Sequence, residues 1–195
     1  MKIIDDAAQL RIHSLLPQSR ANGPGTRFVI WVQGCSFHCP GCFNPATWDI
    51  EAGYLITANS LFEQILAEQD NIEGISISGG EPLQQIIPLL NLMEKVKQET
   101  ALSILLFTGY SWDEILAFTE AERLITCLDV LIAGRYNENL PCTKGLIAST
   151  NQTLHLLTDR YNESDLNAVP ETEIILDKNG HILISGINPL ILKKK

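Results

Sequence analysis

The chain has 195 residues, 45% hydrophobic and 19% charged, with 13 Gly and 9 Pro. That is the content of one globular domain and excludes a disordered tail, a collagen and a coiled coil. Fourteen Lys+Arg against 23 Asp+Glu leave a net charge of −9, which disfavours nucleic acid or anionic lipid as a partner. No run approaches the roughly 18 apolar residues of a membrane span, and no charged-then-apolar leader opens the chain, so no membrane contact and a cytoplasmic address are expected.

Residues 10–16 alternate as a short strand ahead of Pro17, and 18–26 read as a polar loop ending Asn22-Gly-Pro-Gly-Thr26. Residues 27–33, β-branched and aromatic almost throughout, predict a buried strand. Ser60-Leu-Phe-Glu63 has the pattern of a capping box, opening a helix to about Asn71 with Leu61, Ile65 and Leu66 on its apolar face. A strand at 74–78 stops at Gly79-Gly80. A helix runs from about Leu83 to Glu99, and a strand at 102–107 ends in Thr108-Gly109. Ser111–Glu114 and Thr119–Glu122 each cap a short helix, and 128–132 form a further buried strand. Residues 136–152 are irregular. Two alternating runs within 172–186 flank Asp177-Lys-Asn-Gly180, a hairpin signal.

Residues 27–133 therefore read β-α-β-α-β-α-β, a parallel sheet with right-handed crossovers. The expected class is α/β: an incomplete (β/α) barrel with a small C-terminal β-hairpin. Such sheets bind ligands beyond the carboxyl ends of their strands, and Cys35, Gly79, Thr108 and Arg135 each follow a strand.

Cys35, Cys39 and Cys42 fall within eight residues, whereas Cys127 and Cys142 lie far downstream. In a reducing compartment a tight cluster points to metal rather than disulfides. Three thiolates are one short of a closed zinc site, and they leave one iron of a four-iron cluster open. His38, Cys127 or Cys142 stands as fourth ligand in the zinc alternative, although adjacent His38 and Cys39 rarely both reach one ion. Gly79 and Gly80 permit close backbone approach. Glu81 can take a charge-assisted bond from an ammonium, or else simply open the next helix.

Cys35-x3-Cys39-x2-Cys42 resembles the signature of the radical S-adenosylmethionine superfamily. Asn22-Gly-Pro-Gly-Thr-Arg27, Gln33-Gly-Cys35, Cys42-Phe-Asn-Pro-Ala-Thr-Trp48, Ile77-Ser-Gly-Gly-Glu-Pro-Leu83, Phe107-Thr-Gly-Tyr110, Leu131-Ile-Ala-Gly-Arg-Tyr136 and Ser149-Thr-Asn-Gln152 resemble, in order, segments of the anaerobic ribonucleotide reductase activating enzymes. Pyruvate formate-lyase activating enzymes share several of them. The resemblance implies a domain over 1–160 with its core at 22–152, and an extension over 161–195 that is not an independent domain.

It also implies the chemistry. Cys35, Cys39 and Cys42 hold a [4Fe-4S] cluster whose open iron is chelated by S-adenosylmethionine. Reductive cleavage gives a 5′-deoxyadenosyl radical, which makes a glycyl radical on a partner, an anaerobic ribonucleoside-triphosphate reductase. A flavodoxin or ferredoxin donates the electron. Gly79, Gly80, Glu81 and Thr108 are implied to meet the methionine end of the cofactor, and Gly41 and Phe43 its adenine. Arg135 stands where the family carries Lys, facing the cofactor carboxylate or a surface acid; Ala133 replaces the usual Asp. No side chain is assigned as a catalyst, since the cofactor pair carries the reaction. Two other functions remain at this stage: a radical enzyme acting on a peptide or small molecule, and an electron carrier or zinc-binding module.

Overall fold

The computed structural model describes residues 8–142, 145–176 and 179–186. In chain order the elements are β1 Gln9–Ser19, β2 Arg27–Val32, β3 Tyr54–Thr57, α1 Ala58–Ala67, β4 Gly74–Gly79, α2 Ile86–Glu99, β5 Ser103–Thr108, α3 Trp112–Leu116, α4 Ala121–Cys127, β6 Val130–Ala133, β7 Thr153–Leu156, α5 Glu163–Asn167, β8 Thr172–Leu176 and β9 Ile182–Gly186. The first seven strands make one open sheet in the order β3-β1-β2-β4-β5-β6-β7, and β8 pairs with β9 in a separate hairpin. The four central strands are parallel, as the alternating pattern requires. The flanking strands β1, β3 and β7 are antiparallel to their neighbours.

Side-chain alternation gives the sheet two unlike faces. Phe28, Ile30, Val32, Ile75, Ile77, Ile104, Leu106 and Leu131 point into the main core with Leu61, Phe62 and Ile65 of α1 and Leu89, Leu90 and Met93 of α2. On the opposite face Leu105, Val130 and Ile132 pack under Leu146, Leu166 and Val169. Arg27 is fully buried there, its guanidinium donating to Ser76 Oγ, Ser103 Oγ, the Tyr161 hydroxyl and the Ile75 carbonyl. Burial pulls its pKa down to about 10.

Several boundaries differ from expectation. β1 does not stop at Pro17 but runs on to Ser19, with a register shift between Leu16 and Ser19; a bulge is where a strand tolerates a residue without N–H. α1 is capped by Thr57, whose side chain accepts from Ser60 N, so Ser60 lies inside the helix rather than at its cap. The segment from Pro82 opens as a 3-10 turn through Gln85 before α2 begins. Ser111 and Glu114 form the expected capping box. Thr119 does not cap α4: its N-cap position is Glu120, with no side-chain cap. β3, β7 and α5 are not among the expected elements; each is only four or five residues long. The hairpin forms as expected, with Asp177 and Lys178 of its turn outside the described residues.

Candidate active site

Register brings the strand ends to one rim: Val32 pairs with Gly79, and Thr108 with Ala133. The loops leaving that rim surround a cavity of about 360 Å³, within the size range of small-molecule sites. It lies on the sheet face opposite α1 and α2, where Trp31, Ser78 and Phe107 line it. Cys35, Cys39 and Cys42 all line it, as do Phe43, Gly79, Gly80, Glu81 and Thr108. Gly41 does not. Its left-handed φ of 72° turns the chain before Cys42, and an added Cβ would meet Glu138 and Tyr136.

The cysteine loop is shaped by local bonds. Cys42 N donates to the Cys39 carbonyl at 3.1 Å, and Asn44 N donates to Cys42 Sγ at 3.4 Å. Burial pushes the Cys35 thiol up, against donors from the Phe37 and His38 backbone. Burial also raises Cys39, helped by neighbouring Cys42 and opposed by the Tyr136 backbone. Thiols in such a setting become thiolates once a cation binds them.

Among the described residues no trio of His, Cys, Asp and Glu is placed to hold a single metal ion. Three thiols that line one cavity can each take a different iron of a cluster. The zinc alternative finds no support in position: the His38 ring packs on Trp48 at 4.8 Å, Cys127 is in the helix-side core, and Cys142 is not among the lining residues. Trp48 also lines the cavity, and its indole nitrogen is buried without a protein partner.

Glu81 is 1% exposed. Its carboxylate accepts from Leu83 N at 2.9 Å, Thr108 Oγ1 at 2.7 Å and Gly109 N at 2.7 Å. It thus ties the end of β4 to the end of β5 and caps the turn at Pro82. Burial pushes its pKa up to about 7, against those donors and the Arg135 charge. Gly79 and Gly80 are required by the chain itself: an added Cβ would meet the Val32 backbone at 2.6 Å and the Gly34 carbonyl at 2.3 Å. The close approach expected of these glycines is therefore made in the first place by the strand leading into the cysteine loop.

Arg135 forks onto Glu114, with contacts of 2.9 and 3.1 Å, and lies over the Phe37 ring at 4.2 Å. Arg135 thus makes an exposed ion pair while its guanidinium lies over a ring of the cysteine loop. Phe43 is 48% exposed, its ring 4.9 Å from that of Tyr136. Tyr136, Trp48 and Gln152, each the last residue of a family-like segment, also line the cavity, as does the β9 run Leu183–Gly186 within the expected hairpin. Those segments mark the three residues in the sequence, but not that they face one cavity.

A family model described as a 4Fe-4S single cluster domain matches residues 21–155. The anaerobic ribonucleoside-triphosphate reductase-activating protein of Escherichia coli K12 is 33% identical over 157 residues, covering 76% of this chain and 99% of that protein. The chain belongs to this activating family. The corresponding protein of Enterobacteria phage T4 is 36% identical over 74% of this chain and 93% of its own. A pyruvate formate-lyase-activating enzyme from Clostridium pasteurianum is 32% identical over 56% of this chain and 49% of its own. This activase is accordingly a radical S-adenosylmethionine enzyme of the glycyl-radical type, with a [4Fe-4S] cluster and S-adenosylmethionine as cofactors. No helix among the described residues is long and apolar enough to cross a membrane.

Proposed function

We propose that this chain installs a glycyl radical in an anaerobic ribonucleoside-triphosphate reductase, with Cys35, Cys39 and Cys42 as cluster ligands. The observation carrying this reading is that all three thiols open onto one cavity at the carboxyl rim of a parallel sheet. When bound, the cluster and S-adenosylmethionine supply a 5′-deoxyadenosyl radical able to take a hydrogen atom from a backbone glycine. The protein's own residues bind and shield. Gly79, Gly80 and Glu81 give the methionine end a wall with one carboxylate, and Thr108 fixes that carboxylate. Phe43 with Tyr136 offers aromatic surface to the adenine, while Gly41 sets the turn that presents Cys42. The apolar core beneath the rim excludes water from this side. A flavodoxin or ferredoxin supplies the electron, and the setting is the cytoplasm. Residues 1–160 form the working domain, with 161–195 an extension of it.

Anaerobically reconstituted protein is expected to hold about four irons and four sulfides. Cys35→Ala, Cys39→Ala and Cys42→Ala each abolish 5′-deoxyadenosine formation under reductant, whereas Cys127→Ala and Cys142→Ala keep it. Mixing with the reductase produces a glycyl radical signal in electron paramagnetic resonance. Cluster loss in Cys127→Ala or Cys142→Ala overturns the ligand assignment, and absence of the radical overturns the reductase as partner.

A further inference from the structure

The hairpin β8–β9 lies beyond the region matched by the family model, which ends at residue 155. Even so, Leu183, Ile184, Ser185 and Gly186 of β9 line the same cavity as the three thiols. The hairpin is held there by one cross-strand pair. Glu173 stands opposite Ser185, and both grip the segment Ser19–Asn22 that leaves β1. The Glu173 carboxylate accepts from Ser19 Oγ, in a short contact, and from Arg20 N at 2.9 Å. Asn22 Nδ2 donates to Ser185 Oγ and to Ser19 Oγ, each at 2.7 Å. Ser19 and Ser185 are both buried, whereas Glu173 is half-buried and its bond to Arg20 N is exposed.

The wall so positioned is uncharged. From Leu183 to Gly186 its side chains shrink toward the end of β9, and among the described residues β9 pairs on one side only, with β8. An unpaired strand edge is a template for another extended chain, and a neutral wall suits a backbone segment with small side chains better than a charged small molecule. The loop 136–152 contributes Tyr136, Leu146 and Ala148 to the cavity as well.

We infer that β9 is the partner-selecting wall of the activase: its Leu183–Gly186 run contacts the extended glycine-bearing segment of the partner enzyme, and Glu173 is the positioning residue that latches it in place. This rests on the proposed glycyl-radical function. Because a strand edge and an apolar wall bind without taking part in bond breaking, their loss weakens partner binding and spares the chemical step.

The test is the initial rate of glycyl radical formation against concentration of the reductase from the same organism. In Glu173→Ala the KM for the reductase is expected to rise about tenfold with kcat within about twofold. Iron content and partner-free 5′-deoxyadenosine formation should match the wild type. Glu173→Gln, able to accept from Arg20 N and donate to Ser19 Oγ, should restore most of the KM. Leu183→Asp should raise KM independently of the latch. A radical formed with unchanged KM in both Glu173→Ala and Leu183→Asp overturns the role of the hairpin alone, as does a fall in iron content that accounts for the loss. Failure of the wild type to make any radical overturns the underlying function, and the hairpin's role with it.

Discussion

Glu81 shows how one side chain can organise a rim. Its carboxylate joins the ends of β4 and β5 through three donors while almost completely buried. Burial holds its pKa at about 7 instead of 4.5. The proton is thus retained in the folded protein over a pH range in which the unfolded chain has released it. Stability from this source is present below about 4.5 and lost as pH rises toward about 7, a change on the order of 3 kcal/mol. Cluster-free wild type is therefore expected to lose stability between pH 5 and 7.5 relative to Glu81→Gln in urea titrations; parallel curves for the two proteins would refute it. The motif Gly79-Gly80-Glu81 was legible in sequence, as was its place after a strand. That the glycines make room for Val32 and Gly34, and that the Glu81 partners are Thr108 and Gly109, was not legible, because those contacts span strands distant in the chain.

At the scale of elements, local signals worked where the backbone groups they satisfy are close in sequence. Ser111–Glu114 is such a case, a capping box closed within four residues. At α1 two candidate caps compete, Thr57 and Ser60, and the choice falls on Thr57 because pairing of β3 with β1 carries the chain in extended form up to Thr57. Removing a side-chain cap costs about 1 kcal/mol. Urea denaturation should show that loss for Thr57→Ala and less than about 0.5 kcal/mol for Ser60→Ala; the reverse order would restore Ser60 as the cap. β3 and β7 escaped detection for a related reason. Each has only four residues, too few for alternation to mark a strand, and each exists through pairing with a neighbouring strand.

In the whole molecule, residues after the family-matched region do two different jobs. Leu166 and Val169 cover Leu105, Val130 and Ile132, and Tyr161 bonds the buried Arg27. The hairpin that follows walls the cavity. Burial of each aliphatic side chain is worth about 1.5–3 kcal/mol, a large share of a typical domain's stability. A chain ended at residue 170 should keep a cooperative urea transition, and one ended at residue 157 should lose it. Equal behaviour of the two would separate the 158–170 segment from the core. The parallel β-α core, the rim where the motifs gather and the three-cysteine group are written in neighbouring residues, through periodicity and close spacing. The open sheet with its antiparallel flanks, the pairing of Arg135 with Glu114 over Phe37, and the cavity that β9 shares with the thiols emerge only on folding. Those outcomes depend on contacts between residues as far apart as Asn22 and Ser185, which local patterns do not encode.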